Sequence, residues 1–240
     1  MQDPLALLGH AVRDVSVVAM VRFTDRLHEP AEPIWEAQHA HPFVRGIGDG
    51  SLDVEKFKFW VRQDYLFLID YARLLALAAA KAPDVGTMRR FSDLVRATLN
   101  VEMELHRAYA TEFGISSQEL ESETKAPTTQ AYTDFLLHSA AGDYTELLAA
   151  LLPCMWGFSD IGQRLSQGPR PADERYAKWI GMYASAEFAE LADWCRGLVD
   201  SVAKGQPADV LRRMEEAFLT SSRYELAFWE MAWTAETWPV

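Results

Sequence analysis

The chain has 240 residues, 49% of them apolar and 24% charged, which is the make-up of a globular protein with a closed core rather than of a disordered one. Its net charge of −12 argues against nucleic acid or an anionic membrane as the main partner. Two distant cysteines form no disulfide framework, no apolar run of about 18 residues is present to span a bilayer, and the start lacks a basic leader, so a soluble cytoplasmic protein is expected.

Helical periodicity runs through almost the whole chain, and alternating strand patterns are nearly absent. The pattern predicts a first helix over Pro4–Leu27 and a short one over Pro33–His41. "HPFVRGIGDGSLD" reads as a loop, ordered by His41, with Asp53 as the N-cap of a long helix over Val54–Ala82. Pro83 and Gly86 break that helix, and another follows over Thr87–Phe113. "SSQELESETKAPT" is a short helix or loop. Helices follow over Thr128–Ala140, Asp143–Gln167, Ala172–Tyr183, Ala186–Ala203 and Pro207–Thr237. The breaks are short and none has linker composition, so one all-α domain over residues 1–240 is expected.

Three inward stripes carry a residue that does not belong in a core. The helix after Asp53 aligns Phe57, Val61, Asp64, Leu68, Tyr71 and Leu75, with Asp64 amid apolar neighbours. The last helix aligns Phe218, Ser222, Glu225 and Trp229, with Glu225 where a leucine would pack. In "AALLPCMWGF" the stripe includes Leu151, Cys154 and Phe158; Pro153 removes a backbone donor, which would kink the helix and open a cavity beside the thiol. A buried carboxylate must be paired, hydrogen-bonded or protonated. Two readings therefore stand: structural ion pairs, with Arg62, Arg73 or Arg223 as partner, or acids that grip a small flat heterocycle among Tyr65, Phe67, Tyr132, Trp156, Phe158, Tyr183 and Trp229.

Other signals carry less. "GIGDG" follows no strand and reads as a turn. Cys195 is a core or interfacial thiol, and His10 and His28 are surface residues. An oxidative di-iron or haem enzyme would need converging histidines and acids. Glu36 with His39 is the one Glu-x-x-His pair; Asp25 and His28, Glu102, His106 and His138 add scattered candidates. "NVEMELH" is better read as a capped or surface-paired helix, so no metal site is expected.

Several segments in order, "HPFVRGIGDGSL", "RQDYLFLIDYARLLALAAAKA", "EMELHRAYATEFGI", "AALLPCMW", "KWIGMYASAEF" and "SSRYELAFWEMAW", together resemble the TenA family, the thiaminase II proteins, from about His41 to Trp233. The resemblance implies a haem-oxygenase-like helical bundle, a homotetramer, and no metal or organic cofactor. It implies hydrolysis of 4-amino-5-aminomethyl-2-methylpyrimidine to the hydroxymethyl compound with release of ammonia, a thiamin-salvage step, and cleavage of thiamin as well. A non-catalytic pyrimidine-binding regulator is the remaining alternative. The family's nucleophile falls on Cys154, its pyrimidine-gripping acid on Asp64, its acid/base glutamate on Glu225, and its tyrosines on Tyr183 and Tyr132. Phe67 and Phe158 stand where some members have tyrosine, so two pocket hydroxyls are absent.

Overall fold

A computed structural model describes residues 22–239, and there is no strand among them. The expected helix over Pro4–Leu27 falls mostly outside the described residues, as does His10. From Phe23 the chain is already helical and stays so to Ala40 (α1), so the short helix expected from Pro33 is part of α1. Pro30 and Pro33 lie inside α1, where an interior proline costs about 3 kcal/mol. The face made by Leu27, Ala31, Trp35 and Gln38 is buried, and α1 packs on the last helix, which outweighs that cost.

The expected loop after His41 is instead a helix, α2 (Pro42–Asp49). Its ends are specified locally. The His41 ring accepts the Phe43 N–H at 3.2 Å, Pro42 occupies the first turn, and Gly50 takes the left-handed conformation at φ 79°. The second His41 ring nitrogen meets Glu230 at 3.0 Å. Asp53 caps α3 (Val54–Lys81) through the Glu55 N–H at 2.9 Å. All six residues from Gln63 to Leu68 are buried, so α3 lies inside the bundle.

The helix expected over Thr87–Phe113 is split. α4 (Val85–Ala97) and α5 (Met103–Glu112) flank a π turn over Thr98–Glu102, closed by the Met103 N–H on the Thr98 carbonyl. One extra residue there lets the buried face step by five, from Thr98 to Met103. α6 (Ser117–Ser122) carries a Ser116–Glu119 capping box. Then come α7 (Pro127–Ala141), α8 (Tyr144–Ser166), α9 (Glu174–Tyr183), α10 (Ala186–Ala203) and α11 (Ala208–Thr234). α11 stops short of the expected Thr237 because Ala235 turns left-handed, at φ 51°.

α8 packs against α10, α11, α9, α7 and α3, and fourteen of its residues are buried, Pro153 among them. One continuous apolar cluster extends from Leu27 to Ala232. No described helix is long and apolar enough to cross a membrane.

Candidate active site

A cavity of about 250 Å³ lies between α3, the π turn, α8, α9 and the start of α10. It falls just below the usual range of small-ligand pockets, about 300–1,000 Å³, and suits one small ring with a short arm. α3 contributes Asp64, Phe67 and Tyr71; α8 contributes Cys154 and Phe158; α9 contributes Tyr183. Glu102, at the end of the π turn, completes the polar part of the wall.

Tyr183 owes its place to a glycine. A Cβ on Gly162 of α8 would stand 2.5 Å from the Tyr183 carbonyl carbon and 2.7 Å from the Ala184 nitrogen. Only a residue without a side chain lets the end of α9 approach α8 this closely. Tyr183 then packs on Phe158, with centroids 4.9 Å apart, and its hydroxyl donates to Glu102 Oε1 at 3.0 Å.

The charges are organised in two groups. In the first, Asp64 Oδ2 lies 2.6 Å from His106 Nε2, and both side chains are buried. The ring's other nitrogen, Nδ1, lies 2.9 Å from the Glu102 backbone carbonyl, to which it donates. Burial alone would lower the His106 pKa; contact with the Asp64 carboxylate outweighs it, and the net direction is up. The imidazole thus lies between the Asp64 carboxylate and the Glu102 backbone carbonyl. In the second group, Tyr132 OH donates to Glu225 Oε1 and lies 2.9 Å from Ser221 Oγ.

Both glutamates hold protons unusually well. Burial, opposed by the Tyr132 bond and assisted by the Asp64 charge, pushes Glu225 up to about 8. Burial and then the Asp64 charge raise Glu102 to about 7, against the pull of His106 and Tyr183. The Cys154 thiol is raised well above its ordinary value, by burial first and then by the charges of Glu225, Glu102 and Asp64. Contact with the Tyr71 hydroxyl opposes this. Tyr71 itself donates to the Leu151 carbonyl at 3.1 Å, one turn before the cysteine. A thiol in these surroundings is neutral at rest and must lose its proton during any attack.

Of the residues singled out in the sequence, Asp64, Phe67, Cys154, Phe158 and Tyr183 share the cavity wall. Glu225 and Tyr132 adjoin it: Tyr132 packs on Phe67 at 5.1 Å, and the Glu225 charge acts on both Cys154 and Tyr132. Three expectations are corrected. Asp64 is not paired with an arginine, since Arg62 pairs with Glu123 at 2.5 Å, Arg73 with Asp70, and Arg223 is exposed. "NVEMELH" is not a surface-paired stretch: Glu104 does meet Arg107 at 3.3 Å, but His106 is fully buried and Glu102 faces the cavity. His28 is not a plain surface residue, for it sits half-buried against Trp35 and Trp156, with centroids at 4.6 and 5.1 Å.

Cys195 is a core thiol, pushed up to about 12 by burial. The remaining metal candidates are engaged elsewhere: Glu36 pairs with Arg164 at 2.8 Å, Asp25 pairs with Arg196 at 2.8 Å, the His39 ring meets Asp160 at 2.7 Å, and His138 is exposed. Among the described residues no three histidine, cysteine or acidic side chains converge in a metal-holding group.

The model of the TENA/THI-4/PQQC family matches residues 28–235. An aminopyrimidine aminohydrolase of Halalkalibacterium halodurans is 51% identical over 218 residues, covering 90% of this chain and 97% of that protein. One from Helicobacter pylori is 38% identical, covering 86% and 96%. Among solved structures, a TenA homologue from P. horikoshii superposes with a TM-score of 0.83 at 34% identity, covering 89% of this chain and 99% of that one. A Shewanella denitrificans domain with a heme oxygenase-like fold gives 0.70 at 13% identity, over 88% and 92%, which places the fold alone.

Proposed function

The chain belongs to the TENA/THI-4/PQQC family, and from that premise we propose that it is an aminopyrimidine aminohydrolase. It hydrolyses 4-amino-5-aminomethyl-2-methylpyrimidine to the 5-hydroxymethyl compound and ammonia, in thiamin salvage, and cleaves thiamin by the same route. The observation that carries this reading is one cavity, sized for a single ring, whose wall holds Cys154, Asp64 and Tyr183 together.

Asp64 accepts from the ring's amino group, and His106 holds its carboxylate in place. Glu225, protonated at neutral pH, gives a proton to the ring nitrogen, and the carboxylate so formed takes the thiol proton as Cys154 bonds to ring carbon C6. The net step adds S–H across the ring C=N bond and leaves Glu225 as it began. With aromaticity broken, the exocyclic amine departs and water replaces it; the thiol is then expelled. Phe67 and Phe158 wall the ring and keep solvent out, without the hydroxyls that tyrosines would offer. The working unit is a homotetramer. The test is direct: purified protein incubated with the aminomethyl pyrimidine releases ammonia and the hydroxymethyl product in equal amounts. A protein that binds the pyrimidine without releasing ammonia is a regulator, and the reading fails.

A further inference from the structure

The cavity wall holds a carboxyl that the steps above do not use. Glu102 closes the π turn, a local break in regular helix that is frequent at functional sites. The turn lines the cavity with Thr98, Val101 and Glu102. Asp64 already has a buried partner in His106, 2.6 Å away. Among the described residues the Glu102 carboxyl makes no ion pair, and its hydrogen bond is the one that Tyr183 donates to Oε1. It is the Glu102 backbone carbonyl, not the side chain, that takes the His106 ring proton. One carboxyl oxygen thus stays uncommitted, in a wall shared with Cys154.

Such a group lacks a cation, and the substrate class brings one. A primary alkylamine is protonated at neutral pH, as lysine is. Resting on the aminohydrolase reading, we propose that Glu102 is a further catalytic residue: its carboxylate receives the substrate's ammonium arm and then takes the proton of the incoming water. In the adduct, the exocyclic carbon–nitrogen bond breaks with its electron pair going to nitrogen, which leaves as neutral ammonia. The lone pair of the ring amino group supplies the electrons of the new exocyclic double bond. Water adds to that methylene, the electron pair returns to the ring amine, and the water's proton passes to Glu102. The carboxyl hands this proton to ammonia, and ammonium departs. The Tyr183 hydroxyl holds the carboxylate in position throughout.

This role separates the two glutamates by charge state. Glu102 acts ionised and Glu225 acts protonated, so kcat/KM rises with pH through about 7 and falls above about 8. The charged and titratable groups around Glu102 are Asp64 and Tyr71 from α3, His106 from α5, Cys154 from α8, Tyr183 from α9 and Glu187 from α10. None of them is altered by the test substitution.

The test is Glu102→Gln, which keeps the size and an acceptor for Tyr183. kcat on the aminomethyl pyrimidine falls about 100-fold, KM rises, and the rise of kcat/KM through pH 7 disappears. Affinity for the hydroxymethyl product, which carries no cation, stays within about twofold of the unsubstituted protein. A second variant, Glu102→Ala, regains at least about tenfold of its lost rate when formate is added. Loss of product affinity to the same extent as rate, an unchanged limb near pH 7, or no response of the alanine variant to formate overturns the proposal. If the unsubstituted protein releases ammonia and the glutamine variant matches it, the role of Glu102 alone falls. If the unsubstituted protein releases none, the aminohydrolase reading falls first.

Discussion

The first half of α3 and its middle both turn aromatic residues into the core, yet the buried tyrosines around them end on different acceptors. Around Trp60, rings stack on one another: Phe57 at 5.7 Å and Trp229 at 6.2 Å. The tyrosines there end on backbone carbonyls, Tyr109 on Arg175 at 3.1 Å and Tyr176 on Leu52 at 2.8 Å. One turn further on, Tyr183 ends on Glu102 and Tyr132 on Glu225. A backbone carbonyl never changes charge, so the first region is closed once it is packed. A carboxyl that titrates near 7 or 8 does change, so the second region stays chemically open although its tyrosines are just as buried. Burial does not separate these two pairs of tyrosines; what their hydroxyls end on does.

The sharpest way to break that contrast is at the thiol. Cys154→Ser removes the proposed nucleophile while keeping the shape, and ammonia release falls at least about 1,000-fold, some 4 kcal/mol of barrier. Melting stays close to that of the unsubstituted protein, because the side chain is only partly buried and makes no structural bond to charge. Near-full turnover would make the second region as inert as the first.

Glu225→Gln tests the open region from the side of stability. The native carboxyl keeps its proton up to about 8, whereas an exposed one loses it near 4.5. Between those values the native state binds more protons than the unfolded chain, so this group's contribution to stability is full below 4.5 and is lost as pH rises to about 8. The amide variant lacks that loss. Its unfolding free energy should decline less between pH 5 and pH 8, by on the order of 3 kcal/mol, in urea titrations at the two pH values. Parallel decline in both proteins would mean that Glu225 is not held protonated.

Most of the bundle is legible in the sequence because a 3.6-residue apolar period is a local property. What escaped was set by finer or more distant causes. α2 hides in a glycine-rich stretch, where only the His41 cap, Pro42 and the left-handed Gly50 mark its ends. The π turn is written as one step of five between Thr98 and Met103, easily lost in a period that already alternates three and four. Asp64, Cys154 and Glu225 are visible as intruders in apolar stripes. Their partners are not, because that depends on which helices become neighbours. His106 and Glu102 stand four residues apart, which puts them on one face, but only the packing of α5 on α3 makes His106 the buried partner of Asp64.

A smaller effect probes the joint between the two regions. Gly162→Ala would push a methyl group into the Tyr183 backbone, and the end of α9 must shift. Tyr183 then loses its hold on Glu102, and kcat falls about tenfold, while affinity for the pyrimidine product, proposed to rest on Asp64 of α3, stays unchanged. Crystallography of the variant with product would show the displacement of Tyr183 directly; an unmoved tyrosine with unchanged kcat would free α8 of this constraint.

The smallest effect belongs to the closed region, and its smallness is what matters. Tyr109→Phe removes a hydroxyl whose acceptor is the Arg175 carbonyl. Burial pushes the phenol's pKa up, so it is never ionised near neutrality and carries no proton in any step. The ring keeps its edge-on contact with Phe57, 5.4 Å between centroids. The cost is one hydrogen bond, about 1 kcal/mol in a denaturation midpoint, with kcat and KM within about twofold. Tyr183→Phe, the same deletion across the boundary, should reverse the proportions, losing rate well before stability. If the two deletions gave matching losses of stability and of rate, the acceptor would not matter, and the division of α3 into a closed and an open half would have no physical basis.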